Sequence, residues 1–269
     1  IGGFFMLKLN GVTKTFNIGT VNENAVLHSL NLNVNEGDFI SIIGSNGAGK
    51  STLLNVIAGV FPVDEGSIII DGRDITRLPE YERAKFIGRV FQDPMMGTAP
   101  SMTIEENLSL AYYRNKRRGL KWGINEELRK TFRQRLAGLE LGLEDRLNSK
   151  VKLLSGGQRQ AMTLLIATMV KPQLLLLDEH TAALDPSTVR LINDLTERIV
   201  LQKGITTLMV THNMEHAIKM GNRLIMMDKG KIVLDINDSE KTSLTVEVLV
   251  DMFECAAHRK FDEDRVMLG

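Results

Sequence analysis

The chain has 269 residues, which is enough for one large α/β domain or two small ones. Its 33 basic residues balance 33 acidic residues, so no net charge draws the protein to nucleic acid or to anionic lipid. The 43% hydrophobic content is ordinary for a soluble globular protein, and no apolar run approaches the roughly 20 residues of a membrane helix. Cys255 is the single cysteine, which excludes an intrachain disulfide and fits a reducing compartment.

The first third of the chain predicts several strands and a helix. Residues 6–16 and 25–34 alternate apolar and polar side chains, as half-exposed antiparallel strands do. We interpret Ile1–Phe5 as a remnant upstream of a natural start at Met6. The next elements are the buried strand "DFISIIG" (38–44), the helix "KSTLLNVIAGV", the strand "GSIIIDGRDI" ended by the Asp71–Gly72 turn signal, the short helix "PEYERAKF" and the strand "IGRVFQ" (87–92).

The pattern then changes, because residues 103–150 contain no convincing strand. "TIEENLSLAYY" starts with a capping box, Thr103 and Glu106, and "NEELRKTFRQRLAGLELG" reads as a second amphipathic helix. We therefore predict a helical insert at about residues 95–150.

After the insert, helices and strands alternate again, which predicts an α/β protein. The continuous apolar run "QLLLLDE" is typical of a parallel strand covered on both faces. The other elements are the helices "GGQRQAMTLLIATMV", "STVRLINDLTERIV" and "SLTVEVLVDMFECAA", the strand "TTLMVTH", and the hairpin "RLIMMDKGKIVLDI" that turns at Asp228–Lys231.

"GSNGAGKST" satisfies the phosphate-loop pattern G-x-x-x-x-G-K-[ST] between a strand and a helix. Its glycines let the backbone amides curl around phosphate groups, Lys50 would neutralise the β- and γ-phosphates, and the Ser51 hydroxyl would ligate Mg²⁺. The flanking strand and helix disfavour the alternative of an ordinary glycine-rich turn. The candidate nucleotide-binding residues here are Gly44, Ser45, Asn46, Gly47, Ala48, Gly49, Lys50, Ser51 and Thr52.

"LLLLDEH" predicts a second half of the site. Asp178 ends a buried strand, where it can hold Mg²⁺ directly or through water. Glu179 follows and points differently, so it could accept a proton from an attacking water. Two acids that merely cap a strand are the alternative.

"LSGGQRQ" (154–160) predicts a second anion-binding turn, about a hundred residues after the first. A serine and two glycines end a loop here and a helix follows, and the backbone amides at a helix start attract anions.

Six segments occur in the order and at the spacings of one family: "GSNGAGKST", "VFQDP", "LSGGQRQ", "LLLLDE", "AALDP" and "VTH". On these segments the chain resembles the ATP-binding subunit of an ABC transporter from Met6 to about Phe253. The resemblance implies a P-loop NTPase core with a mainly parallel sheet, an N-terminal antiparallel β subdomain and an inserted α-helical subdomain. We expect one domain over 6–253 and a C-terminal tail at 254–269.

The resemblance also implies individual roles. Phe16 matches the aromatic residue that stacks on adenine, although its type would equally suit a core. Gln92 matches the glutamine that reaches Mg²⁺ and water, and His212 the histidine at the γ-phosphate. Asp185 matches a loop that crosses to the neighbouring subunit, and it could also cap the helix from Pro186.

The second anion-binding turn has its own place in the family. Two cassettes pack head to tail there, and each ATP lies between the phosphate loop of one subunit and the turn of the other. Ser155, Gly156 and Gly157 would therefore contact the ATP of a second copy of the chain.

Two features fall outside these roles. His180 stands where many members of the family have proline, and we favour a loop role over a catalytic one. The basic cluster 114–122 favours a solvated loop or a lipid-headgroup contact over nucleic acid, given the zero net charge.

The resemblance implies an ATPase of the bacterial importer type that uses ATP and Mg²⁺. Its partners would be integral membrane permease subunits and a solute-binding protein, with no nucleic acid, and it would lie in the cytoplasm on the inner face of the membrane. "VFQDPMMGTAPSMTIEENLSLAYY" and "DEHTAALDP" are similar to cassettes for uptake of small organic solutes, with an amino acid as candidate. The alternatives are a soluble non-transport ABC ATPase and an ATP-gated scaffold without turnover.

Overall fold

The computed structural model describes residues 5–114, 124–182 and 184–255. Its strands are β1 (Leu7–Phe16), β2 (Asn24–Val34), β3 (Phe39–Gly44), β4 (Glu65–Ile70), β5 (Arg73–Asp74), β6 (Ile87–Val90), β7 (Leu174–Asp178), β8 (Thr206–Val210), β9 (Arg223–Asp228) and β10 (Lys231–Asn237). Its helices are α1 (Lys50–Ala58), α2 (Glu80–Arg83), α3 (Ile104–Tyr112), α4 (Glu126–Ala137), α5 (Gly156–Thr168), α6 (Pro186–Lys203), α7 (Met214–Lys219) and α8 (Asp238–Lys241). A single 3₁₀ turn among the described residues lies at Val151–Leu153, and residues 246–255 form a final helical segment.

The described residues form two compact units, 5–84 with 206–255 and 85–205. In the first unit, β2, β1, β4 and β5 form an antiparallel sheet in that order. Leu7 of β1 lies opposite Val34 on one side and Ile70 on the other, and all three side chains are buried. The alternation of the two N-terminal segments therefore predicted their antiparallel pairing correctly, because one face of this sheet is apolar.

The first unit also holds a group of mixed strands around β3. This strand pairs in parallel with β8 and with β9, and β10 pairs antiparallel to β9. The β9–β10 hairpin turns at Lys229 and Gly230, whose φ angles of 42° and 73° are both positive, as a two-residue type I′ turn requires. The predicted hairpin at Asp228–Lys231 is confirmed.

The final helical segment of the first unit packs on these strands. Leu249 is fully buried in a cluster with Ile43, Leu224 and Met226. Met252 and Phe253 pack against the same cluster. The predicted C-terminal helix is thus confirmed for residues 246–255, whereas most of the expected tail 254–269 lies outside the described residues.

In the second unit, β6 and β7 pair in parallel and α5 packs against β6, α3, α4 and α6. The β7 residues Leu174–Leu177 are all fully buried, as the apolar run predicted. Helix α3 begins at the predicted capping box, in which the Thr103 side chain accepts from the Glu106 amide and the Glu106 carboxylate from the Thr103 amide. Within the described part of 103–150, β structure is limited to a single bridge between Thr103 and Lys150.

The structure differs from the sequence reading at short elements. Asp71 and Gly72 have φ angles of 50° and 73°, so the turn signal opens a hairpin from β4 to β5 and does not simply end a strand. Helices α7 and α8 have six and four residues and were not predicted, because segments this short cannot display a helical period in the sequence. In the described ranges, no helix has the length and apolarity to cross a membrane.

Arg83 is buried in the first unit, with 1% of its surface exposed. Its Nη1 donates to the carbonyl oxygens of Val56 and Ile57 at 2.8 Å, which are at the C-terminal end of α1. Its Nη2 and Nε donate to the carbonyl oxygens of Thr76 and Leu78 at 2.9 and 2.8 Å. Burial lowers the pKa of Arg83, because it withdraws the charged group from water. The four carbonyl dipoles offset part of this cost.

Replacing Arg83 with methionine keeps much of the buried volume and removes all four donated hydrogen bonds. We expect Arg83→Met to lower the free energy of unfolding by about 3 kcal/mol or more, because buried carbonyl groups lose their partners. Urea unfolding followed by circular dichroism measures this. The exposed Arg77 is the matched control, and Arg77→Met should stay within about 0.5 kcal/mol of wild type. Equal stability of the two variants would contradict the assigned role.

Candidate nucleotide-binding and hydrolysis site

The phosphate loop lies in the first unit between the end of β3 and the start of α1. Gly44, Gly47 and Gly49 have positive φ angles of 149°, 82° and 95°, which residues other than glycine rarely adopt. A Cβ on Gly44 would also lie 2.1 Å from the carbonyl oxygen of Met227 on β9. Only glycine therefore lets β9 pair alongside the loop at this position.

Lys50 starts α1 and is 5% exposed. Its Nζ donates to the carbonyl oxygens of Gly44 and Ser45 at 2.9 and 3.0 Å, so the ammonium group lies on the inner side of the loop. Helix α1 has no side-chain N-cap and no acidic residue in its first turn. Its N-terminal amides and the Lys50 charge together make this end of the helix attractive to an anion.

The other phosphate-loop residues differ in solvent exposure. Ala48 is buried and Thr52 is half-buried, and the exposed residues are Ser45, Asn46, Gly47 and Ser51. The loop therefore presents polar atoms outward over a buried base.

The β9–β10 turn supports this loop, which sequence reasoning did not foresee. The Gly230 amide donates to the Ala48 carbonyl at 3.1 Å, and the His28 amide donates to the Gly230 carbonyl at 3.2 Å. A Cβ on Gly230 would lie 2.2 Å from the carbonyl oxygen of Val26. The only signal in the sequence was a glycine in a predicted hairpin turn.

Two further predicted residues belong to the first unit. Phe16 is half-buried, and its ring meets Phe61 edge to face with centroids 5.1 Å apart. Packing therefore fixes one side of the ring, and part of the ring stays accessible to a stacking partner. His212 is exposed two residues after the end of β8. It follows Thr211, whose amide donates to the Ile42 carbonyl of β3 at 3.1 Å.

In the second unit, Asp178 and Glu179 follow each other at the end of β7. Asp178 Oδ2 lies 3.6 Å from Nη2 of Arg89 on β6, and Arg89 also stacks on the Phe91 ring at 4.5 Å. Glu179 has a φ of 44°, in the left-handed region that costs a non-glycine residue roughly 1–2 kcal/mol. This turn separates the direction of the Glu179 side chain from that of Asp178.

His180 is 3% exposed, and its Nε2 lies 3.2 Å from Thr196 Oγ1 on α6. Thr196 Oγ1 is also 2.7 Å from the Ile192 carbonyl oxygen, to which it can donate. The imidazole therefore joins the loop after Glu179 to α6. This agrees with the predicted loop role.

The second anion-binding turn begins α5. Ser155 is the N-cap, and its side chain forms a capping box with Gln158, which fixes the first turn of the helix. Gly156 is exposed, and a Cβ there would meet the Leu184 side chain at an ordinary 3.4 Å. The structure thus presents Ser155 and Gly156 at the surface, at the positive end of a 13-residue helix.

Asp185 caps α6, as the alternative reading of this residue predicted. Its carboxylate accepts from the Thr188 amide at 3.1 Å, from Thr188 Oγ1 at 2.6 Å and from Ser187 Oγ at 2.5 Å. These hydrogen bonds favour the ionised form and hold the pKa of Asp185 well below its usual range.

The structure brings the starts of α5 and α6 together. A Cβ on Gly157 would lie 2.4 Å from Cγ2 of Thr188, the residue held by Asp185. The second anion-binding turn and the Asp185 loop therefore pack against each other within the second unit.

Gln92 is exposed, two residues after β6. The segment that follows it rests on α5, because a Cβ on Gly97 would lie 2.4 Å from Thr163 Cγ2. Asn107 of α3 holds the same segment through the Ala99 amide and carbonyl, at 2.8 and 3.1 Å. Of the basic cluster 114–122, only Arg114 lies within the described residues.

Comparisons with known proteins agree with this geometry. The family model described as ABC transporter matches residues 27–182. The chain is 47% identical over 251 residues to the "Tyrosine transport ATP-binding protein" of Clostridioides difficile, covering 93% of this chain and 100% of that protein. It is 35% identical over 230 residues to the "Spermidine/putrescine import ATP-binding protein PotA" of Haemophilus influenzae, covering 86% of this chain and 57% of that protein.

Solved structures show the same relationship. The dimeric ATP-binding cassette MJ0796 bound to ADP and Pi matches with a TM-score of 0.74 at 35% identity, covering 87% of this chain and 99% of that one. The cassette MJ1267 in its ADP conformation matches with a TM-score of 0.74 at 29% identity, covering 93% and 99%. The chain belongs to the ABC transporter family. It is an ATP-binding and ATP-hydrolysing cassette with the P-loop NTPase fold, as the sequence predicted.

The packing of Gly157 yields a prediction about the second anion-binding turn. Gly157→Ala would force Thr188 out of a rotamer that its hydrogen bond to Asp185 holds, and we expect a loss of about 1–3 kcal/mol in the free energy of unfolding. Gly156→Ala meets only an ordinary contact and should leave stability unchanged or raise it by up to about 1 kcal/mol. Chemical denaturation of the two variants measures both effects. A Gly157→Ala protein as stable as Gly156→Ala would contradict the assigned packing.

Proposed function

We propose that the chain powers the import of a small solute, an aromatic amino acid such as tyrosine, through separate membrane permease subunits. The observation that carries the ATP-driven part of this proposal is the pair of anion-binding helix starts on one chain, at Lys50 and at Ser155. A nucleotide bound by one chain alone needs only one of these helix starts. In a head-to-tail pair of chains, each nucleotide contacts one helix start from each copy. The tyrosine-transport protein supports the substrate class, because its whole length aligns with this chain.

In this proposal the phosphate loop and the start of α1 hold the phosphates of ATP. Lys50 and the amides of residues 45–52 bind them, and the accessible part of the Phe16 ring stacks on the adenine. Ser51, Asp178 and Gln92 supply oxygen ligands of the kind that Mg²⁺ prefers. The ion would neutralise charge on the phosphates. The described residues contain no cluster of three or more acidic, His or Cys groups for a metal, which fits an ion held largely by the nucleotide.

Glu179 is the proposed general base for the attacking water, and His212 is the proposed contact to the γ-phosphate. The left-handed backbone at Glu179 supports its role, because strained residues persist where function requires their direction. His180 anchors the next position on α6 and so helps to hold that direction.

We propose that the functional unit is a dimer of two copies, in which Ser155, Gly156 and Gly157 contact the ATP of the partner. The capping box occupies the amides of Ser155 and Gln158, so the two glycines lie between them at an exposed helix start. The dimeric state of MJ0796 supports this arrangement.

The permease would dock on the helical insert, about residues 95–150, and on the segment after Gln92. Exposed apolar side chains support this surface: Met96 is 67% exposed and Leu110 is 54% exposed. The single domain over 6–253 would then work on the inner face of the membrane, with a solute-binding protein delivering the cargo on the other side.

Glu179→Gln tests the hydrolytic half of the proposal. It keeps size and hydrogen bonding but removes the basic oxygen, so hydrolysis should fall roughly 10²–10⁴-fold. ATP binding should remain, and the ATP-bound dimer should persist because its exit step is blocked. Size-exclusion chromatography with Mg²⁺-ATP should show a dimer for Glu179→Gln and mostly monomer for wild type.

Lys50→Ala is the control in the same buffer, since it should lose the nucleotide and stay monomeric. A Glu179→Gln protein that hydrolyses ATP at the wild-type rate would remove Glu179 as the base. A wild-type protein without any turnover would favour the ATP-gated scaffold.

Uptake assays test the transport half. In cells that lack the native gene, the wild-type chain should restore accumulation of radiolabelled tyrosine, and Lys50→Ala should not. Spermidine uptake serves as the specificity control and should not change. Tyrosine uptake that is the same with and without the wild-type chain would refute the substrate class and leave the ATPase assignment standing.

A further inference from the structure

A cleft in the second unit has no role in the proposed transport cycle. It has a volume of about 400 Å³ and lies among the C-terminal ends of α4, α5 and α6. Its lining residues are Gln134, Arg135, Gly138, Leu139, Leu165, Thr168, Met169, Lys171, Arg198, Ile199, Gln202 and Lys203.

The charge of this cleft is one-sided. Arg135, Lys171, Arg198 and Lys203 line it, and none of the twelve lining residues, all within the described ranges, is acidic. A counter-charge lies beside Arg198, because Glu140 Oε1 is 2.7 Å from its Nη1. Both partners are well exposed, at 41% and 69%, so the pair is a weak surface ion pair.

Two of the four cations are fixed side by side. Lys203 Nζ donates to the Thr168 carbonyl at 2.7 Å, and Arg135 Nη1 donates to the Met169 carbonyl at 2.8 Å. These are consecutive carbonyls at the C-terminal end of α5, a common place for a basic side chain. Burial and the charge of Arg135 both lower the pKa of Lys203, so the cations repel each other there.

Capping accounts for Arg198 as well, because its Nη2 donates to Gly138, the C-cap residue of α4, but it does not account for Lys171. Lys171 makes no hydrogen bond or ion pair with any residue that the structure describes, and its Nζ lies beside Gly204, 3.9 Å from where a Cβ would stand. Arg198 donates Nη2 to the Gly138 carbonyl at 2.9 Å, which orients its planar group at the rim. All four cations therefore line the same cleft.

We propose that this cleft binds the phosphate group of a small organic phosphate ester. Guanidinium groups match phosphate oxygens in pairs, and the lysines add point charges. Leu139, Leu165 and Ile199 provide an aliphatic wall for the organic part. The volume suits a small ligand rather than a macromolecule. The same chemistry describes a free phosphate ester and the headgroup of an anionic phospholipid.

Calorimetric titration with glycerol 3-phosphate tests the site on the full chain. The titration uses the Lys50→Ala background, so that the phosphate loop does not contribute. Adding Lys171→Glu and Arg198→Glu should weaken binding about tenfold or more, because two charge-assisted contacts become repulsive. Both residues lie outside the proposed nucleotide site, so the same double substitution in the wild-type chain should leave basal ATP hydrolysis unchanged.

Lys130→Glu with Arg133→Glu is the matched control. These α4 residues are exposed, lie outside the cleft, and change the net charge by the same amount. In the Lys50→Ala background, the control should bind glycerol 3-phosphate with the same affinity as Lys50→Ala alone. Sedimentation with phosphatidylglycerol vesicles forms the second arm: cleft-dependent binding to vesicles but not to glycerol 3-phosphate would assign the headgroup as the source. No binding in either arm, or equal loss in the control and cleft variants, would overturn the proposal.

Discussion

The close approach of the β9 backbone to the phosphate loop is the constraint on which the first unit depends. At Gly44 the Met227 carbonyl occupies the space of a side chain, and at Gly230 the Val26 carbonyl does the same. Glycine at these positions lets β9, its turn and β2 close around the loop, and the Gly230 amide then holds the Ala48 carbonyl. The loop is thus shaped by backbone contacts from outside as well as by its own glycines.

The larger elements of the fold were predictable because burial imposes a period on them. The alternation in β1 and the unbroken apolar run of β7 follow from one-sided and two-sided burial. Short elements such as α7 carry no such period, and tertiary packing decides them. The Asp71–Gly72 signal was recognised as a turn but not as a hairpin, since the two residues of β5 are too few to show a pattern.

The candidate site was predictable where one sequence segment carries its own chemistry. The phosphate loop and the Asp178–Glu179 pair are of this kind, although their catalytic roles remain predictions. Contacts between distant segments were not predictable. Neither Arg89 beside Asp178 nor the packing of Gly157 on Thr188 leaves a local signature, because each depends on how β6 or α6 is placed in the fold.

The positive φ of Glu179 has a consequence for how this cassette can change. Glycine and asparagine tolerate the left-handed region best, so these replacements relieve the backbone there. Both also delete the carboxylate. With Glu179 as the proposed general base, selection for thermostability alone would favour variants that fold better but no longer hydrolyse ATP, so directed evolution of this protein needs turnover as a second criterion.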